Sequence, residues 1–194
     1  MRDLYGIGEA LKGHVSADWF FPDGPISVPL GFMMEGRAWF PINMAELETA
    51  MNNGDHRKFA DKSSEEFDHS QELAVEFLKE VSAHYSKLII GGFSQGAMLA
   101  SHVFTEVETD ALALFSGTLM DKESLSSKLS STKEIRFFQS HGSADPLLEF
   151  SQAQDLHQFL ESKGLKGEFI SFEGGHEIPP AALEGFLRLI KTAS

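Results

Sequence analysis

Gly92-Phe93-Ser94-Gln95-Gly96 has the residue types and spacing to present a nucleophile. In a G-x-S-x-G elbow, a sharp strand-to-helix turn holds the serine hydroxyl in an exposed, strained position. A bare match arises by accident in roughly one chain in twenty of this length, so the flanks decide. Here the apolar run Leu88-Ile89-Ile90 precedes it, and residues 97–104 follow as a mostly apolar helical stretch. That is the strand, turn and helix the chemistry requires. Both glycines are expected to be needed, because side chains there would meet the neighbouring strand and helix.

A serine hydroxyl is a poor nucleophile until a base takes its proton and a third group orients that base. Eight histidines are available. His176 lies in Gly174-Gly175-His176-Glu177-Ile178-Pro179, between the last apolar strand and the last helical pattern. Such a loop brings an imidazole to the carboxyl end of a parallel sheet, where an elbow also points. His14, His56, His69, His84 and His157 read as surface positions, and His102 as a packing residue on the helix after the elbow. Ser140-His141-Gly142-Ser143-Ala144-Asp145-Pro146-Leu147 follows another strand end. Asp145 is its candidate orienting carboxylate, with His141 as hydrogen-bonding support. Taken alone, Asp145 reads equally well as a turn-former before proline. The chain order Ser94, Asp145, His176 is that of α/β-hydrolases.

The elements that position these residues follow from periodicity. Leu4, Ile7 and Leu11 recur at helical spacing and stop near Gly13. Residues 15–21 read as a strand closed by the turn Pro22-Asp23-Gly24-Pro25. A long loop follows as far as Asn53, with a short helix near residues 44–51, an excursion of the kind that often covers a site. Ser63 and Glu66 fit a capping box, opening a helix with Leu73, Phe77, Leu78 and Val81 on one face. Further strands are expected at 87–92, 111–115, 135–139 and 169–172. An amphipathic helix at 151–163 turns Leu156, Phe159 and Leu160 inward. Pro179 and Pro180 open a terminal helix, where a missing N–H has no intrahelical role. Short apolar strands alternating with helices give a mostly parallel sheet covered on both faces, a three-layer α/β sandwich in one domain spanning 1–194.

Composition narrows the function. A formal charge of −13 disfavours nucleic acid and anionic bilayers. No cysteine is present, which removes disulfides, thiol nucleophiles and Cys-metal sites together and suits the cytoplasm. No apolar run reaches the ~20 residues of a membrane span, and Met1-Arg2-Asp3 leads into a helical pattern without a signal sequence. No H-E-x-x-H occurs, and Gly6-Ile7-Gly8 lacks the third glycine and preceding strand of a dinucleotide loop. Metal-assisted hydrolysis is not expected. A neutral or cationic small-molecule substrate fits the acidic chain's field better, and a homodimer is left open. A peptidase would share the same three residues, but nothing in the chain adds a domain to select peptides.

Together the motifs resemble the carboxylesterase/lysophospholipase family that includes acyl-protein thioesterases. Gly91 to Met98 is similar to its elbow, His141-Gly142-Ser143-Ala144-Asp145-Pro146 to its Asp loop, and Gly175-His176-Glu177-Ile178-Pro179 to its His loop. Phe21-Pro22-Asp23-Gly24-Pro25 and Arg37-Ala38-Trp39-Phe40 resemble two further landmarks, with Pro41 where the family often has Asp. The resemblance implies an α/β-hydrolase without a large cap domain and without a cofactor, cleaving acyl esters or thioesters through Ser94, Asp145 and His176. It further implies that the Gln95 amide serves the oxyanion hole, and that Met33, Met34, Trp39, Phe93 and Leu147 line the acyl pocket.

One departure stands out. The family places a strand and a Leu-His-Gly-type loop ahead of the segment matching Arg2-Asp3-Leu4-Tyr5, and that loop supplies the second oxyanion donor. The absent strand would lie between the strands expected at 15–21 and 87–92. The domain is therefore expected to be an N-terminally truncated version of one longer by roughly 20 to 30 residues, enough for a strand of ~5–6 residues and its loops. The alternative reading is an impaired or silent member that only binds acyl ligands or partners.

Overall fold

The computed structural model describes residues 4–29, 35–41, 49, 63–130 and 134–193. Met33, Met34 and nearly all of the helix expected at 44–51 lie outside the described residues. The elements are α1 (Tyr5–Leu11), β1 (Ile26–Pro29), β2 (Glu35–Ala38), α2 (Glu65–Ser82), β3 (Ile89–Phe93), α3 (Gln95–Val103), β4 (Ala111–Phe115), α4 (Lys122–Leu129), β5 (Arg136–Gly142), α5 (Phe150–Ser162), β6 (Lys166–Phe172) and α6 (Pro180–Ala193). Strands β3, β4, β5 and β6 form a parallel sheet in that order, while β1 and β2 make a separate antiparallel pair.

Strand β4 shows why the sheet is covered on both faces. All five of its residues are buried, and their side chains divide with period two. Leu112 and Leu114 join Phe104, Leu125, Phe137, Leu156 and Leu160 on one face. Ala111, Ala113 and Phe115 join Phe138, Phe186, Leu189 and Ile190 on the other. Each fully buried leucine of that first face contributes about 1.5–3 kcal/mol. A third cluster of Phe40, Phe67, Met98, Leu99, Val103 and Met120 seats α2 against α3 and the residues after β2.

The expected cap of α2 moves by one residue. Ser64, not Ser63, accepts from the Phe67 N–H at 3.2 Å, and the Ser63 hydroxyl donates to Asp68 at 2.6 Å. Glu65, Glu66 and Asp68 place negative charge in the first turn, where the helix dipole favours it. The inward stripe runs through Phe67, Gln71, Ala74, Leu78 and Val81 at three- and four-residue steps. Leu73 falls off this stripe and is 38% exposed. His157, read as a surface residue, is instead half-buried on α5, with its ring 5.0 Å from Phe137 and 5.2 Å from Phe169.

Residues 15–21 do not form a strand. Their alternating aromatics serve side-chain docking and no ladder: Trp19 packs on Phe186 at 6.1 Å, and Phe20 on Phe77 and Tyr85. The Tyr85 hydroxyl donates to Asp18 at 2.8 Å. Between this segment and β3 lies a cleft of about 1080 Å³, walled also by α2, α3 and α6. Among the described residues β3 has β4 as its only ladder neighbour, so the edge of β3 facing the cleft is unpaired. No described helix is long and apolar enough to cross a membrane.

His102 on α3 is packed into the fold with no solvent exposure, its Nε2–H donating to the Met120 carbonyl at 2.9 Å. Burial pulls its pKa below the ordinary histidine value, against the opposing pull of that carbonyl. Between the folded and unfolded pKa values the unfolded chain binds more protons, so stability rises with pH there. This contribution is complete above about pH 6.5 and is lost as pH falls toward the folded value. Urea midpoints should therefore be lower at pH 5.5 than at pH 7.5, and His102→Gln should narrow that difference. An undiminished difference in the variant would assign the effect to other groups.

Candidate active site

The strand-to-helix turn is built by two backbone commitments that meet at Ser94. Its N–H continues the β3–β4 ladder by donating to the Phe115 carbonyl at 2.9 Å, and its own carbonyl accepts from Ala97 and Met98 at 3.0 and 3.2 Å as the first acceptor of α3. Satisfying both forces φ 56° and ψ −120°, a strained conformation for a residue with a side chain. Gly92 is required here, since a Cβ would overlap the Gly96 carbonyl group and lie 2.5 Å from the Ala97 nitrogen. Gly96 is not required on the same ground: a Cβ there meets only Trp39 Nε1, at an ordinary 3.7 Å. The amides of Gln95 and Gly96 stand in the first turn of α3, where helix geometry leaves N–H groups without intrahelical partners. The positive end of the helix dipole adds to their attraction for negative charge.

Asp145 lies in the loop after β5. Its side chain has no solvent exposure. Oδ1 accepts from the Leu147 and Leu148 N–H groups at 2.8 and 3.0 Å, which makes the turn, and Oδ2 accepts from His176 Nδ1 at 2.6 Å. The turn-former and orienting roles considered for Asp145 are thus held by its two oxygens separately. Burial pushes this carboxyl up, yet the His176 bond, the two amides and the imidazole charge outweigh it and hold its pKa below the ordinary carboxylate value. His141 is fully buried beneath, donating from Nε2 to the Leu148 carbonyl at 2.9 Å, with Asp145 Oδ2 at 3.4 Å. Burial lowers its pKa, so it supports the loop as a neutral donor.

His176 sits between β6 and α6 with its side chain 13% exposed. Because the carboxylate only accepts, Nδ1 carries the hydrogen, and in the neutral ring Nε2 is then the acceptor. Its ring lies 4.7 Å from that of Phe93, the residue before Ser94. The Ser94 hydroxyl makes no hydrogen bond to it in the structure; such contacts commonly tighten only once substrate is bound. The Asp and His loops are laced together: Ser143 N–H donates to the Phe172 carbonyl at 2.8 Å and Ala144 N–H to the Gly174 carbonyl at 3.0 Å. Gly142 makes this approach possible, as a Cβ there would overlap the Gly174 and Gly175 carbonyls.

The structure therefore brings Asp145 and His176 into direct contact and sets the ring of Phe93, the residue before Ser94, against His176. Trp39, Phe93, Ser94 and Gln95 all border the cleft along β3. Leu147 does not border it and is 37% exposed. Two participants were not marked by the sequence. The Gln95 side chain holds the backbone of Trp39 and Phe40, and Ser70 on α2 donates to the Trp39 carbonyl. Long-range side-chain bonds of this kind leave no local pattern to read.

The family described as phospholipase/carboxylesterase matches residues 6–194. Among named relatives, acyl-protein thioesterase 1 of Debaryomyces hansenii is 30% identical over 166 residues, covering 80% of this chain and 68% of its own length. Acyl-protein thioesterase 1 homolog 1 of Dictyostelium discoideum is 26% identical over 191 residues, covering 92% and 77%. Of solved structures, esterase PE8 superposes with a TM-score of 0.74 at 20% identity, over 100% of this chain and 86% of that one. Arabidopsis thaliana SOBER1 gives 0.60 at 23% identity, over 90% and 83%. The chain belongs to the phospholipase/carboxylesterase family and is a hydrolase with the α/β-hydrolase fold.

Proposed function

We propose that the chain is a serine hydrolase of carboxylic esters and thioesters, working through an acyl-enzyme on Ser94. The observation that carries this reading is the 2.6 Å bond from His176 Nδ1 to the buried Asp145, with the His176 ring against Phe93, the residue before Ser94, and Ser94 itself held at φ 56°. The names of the relatives, acyl-protein thioesterases, support the thioester half.

In this mechanism Ser94 Oγ forms a bond to the acyl carbon while its proton passes to His176 Nε2. The carbonyl oxygen becomes negative and meets the Gln95 N–H at the start of α3. His176, now a cation facing the Asp145 carboxylate, returns the proton to the departing alkoxide or thiolate as the acyl–heteroatom bond breaks. Water then attacks the acyl-enzyme by the same relay, releasing the acid and restoring Ser94. Trp39 and Phe93 offer apolar walls for the acyl chain. Leu147 and the 33–34 segment enter the pocket on the strength of the resemblance alone. The cytoplasm is the proposed location.

A single oxyanion donor would leave catalysis well short of its potential, since one such N–H is worth about 10²–10³ in rate. The stretch of the cleft along Leu88 to Gly92 is proposed to receive one further strand, completing the single domain. Its end at Trp39, Phe93 and Ser94 stays open to the acyl chain, and the loop after that strand gives the second donor. The edge of β3 that no described residue pairs and the 1080 Å³ beside it support this.

Steady-state hydrolysis of p-nitrophenyl butyrate tests the assignment. Asp145→Asn should lower kcat by about 10³–10⁴, because the imidazole loses its orientation and the charge that stabilises its cation. Less than a tenfold loss would remove Asp145 from the mechanism. A version of the chain extended upstream by the proposed strand should gain about 10²–10³ in kcat. Equal rates with and without the extension would mean that the cleft is not a strand slot serving the oxyanion.

A further inference from the structure

Residues 39 and 40 follow β2, whose ladder with β1 ends at the Ala38–Ile26 pair. Beyond it, three backbone polar groups are met by side chains from two helices. The Gln95 carboxamide, on the first residue of α3, takes two of them: Oε1 accepts from the Trp39 N–H at 3.0 Å and Nε2 donates to the Phe40 carbonyl at 2.9 Å. The Ser70 hydroxyl on α2 donates to the Trp39 carbonyl. The amide orientation is forced, since an N–H needs an acceptor and a carbonyl a donor. The Phe40 ring is packed edge-on to Phe67 at 5.2 Å, which fixes the far side of the segment.

These bonds set where the Trp39 indole stands. It is half-buried, its Nε1 faces Gly96, and it borders the same cleft as Ser94. We infer that the Gln95 side chain, with Ser70, is a positioning device that holds Trp39 as the acyl-chain wall and so sets chain-length selectivity. The inference rests on the proposed hydrolase reading for its substrate. Gln95 then has two separable duties: its backbone N–H faces the developing charge, and its carboxamide fixes the pocket wall at a set distance from the nucleophile. Few side chains could substitute. Glutamate cannot donate to the Phe40 carbonyl, asparagine is one methylene short, and methionine keeps the shape while losing both bonds.

The test compares the chain with Gln95→Met, Trp39→Ala and the double variant on p-nitrophenyl acetate and octanoate. Gln95→Met should lower the octanoate-to-acetate ratio of kcat/KM by about tenfold, through the octanoate KM, and Trp39→Ala by a similar factor. The double variant should lose no more than Trp39→Ala alone, because the two residues act as one unit. Ser70→Ala should shift the ratio in the same direction. A ratio left unchanged by Gln95→Met, or losses that multiply in the double variant, would overturn the inference. A second readout needs no turnover: in a Trp19→Phe background Trp39 is the remaining tryptophan, and Gln95→Met should increase acrylamide quenching of its emission. Unaltered quenching overturns the clamp even if neither ester is cleaved, whereas fluorophosphonate labelling of Ser94 reports on the hydrolase reading separately.

Discussion

The proposed site is arranged around the backbone of Ser94, which belongs to a strand through its N–H and to a helix through its C=O. The bond to Phe115 and the bonds from Ala97 and Met98 cannot be satisfied together in an ordinary conformation, so the residue is held at φ 56°. Strain of this kind costs of order 1–3 kcal/mol and survives only where the surroundings over-determine it. Those surroundings are the buried β4 and the apolar α3 that lies against it.

The other two groups are held by a different device. Asp145 and His176 sit on loops, yet the loops leave β5 and β6, a ladder of seven paired residues, and are tied to each other by backbone bonds. The turn at Asp145 orders itself by committing one carboxylate oxygen to two amides and leaves the second for His176. The Ser116 hydroxyl at the end of β4 donates to the Glu177 carbonyl at 3.3 Å, which ties the His loop back to the centre of the sheet. Rigid strand ends, with loops laced at close quarters, allow Asp145 and His176, 31 residues apart in sequence, to meet directly.

Much of this was legible from residue patterns, for reasons that differ by element. The parallel strands show as apolar runs because both faces are covered, and the elbow shows because Gly92 answers a steric demand that no other residue meets. The Asp and His loops were found through strand ends and glycines. Residues 15–21 misled because Trp19 and Phe21 alternate as in a strand, while the physical cause is docking onto α1, α6 and α2. The shift from Ser63 to Ser64 reflects two serines competing for one cap, which spacing alone does not resolve. His157 reads as a surface position in the sequence, and the aromatic rings that half-bury it come from β5 and β6, far from it in the chain. The Gln95 clamp depends on contacts across 55 and 56 residues, beyond the reach of any local pattern.

The central claim is that the Ser94 hydroxyl is activated by its setting, and intact-mass measurement after reaction with a fluorophosphonate tests it most directly. A serine in an ordinary environment does not react with such a probe, whereas one with a positioned base does. One adduct per chain is expected, absent from Ser94→Ala. A folded chain that stays unlabelled, or an adduct that persists in Ser94→Ala, would contradict it.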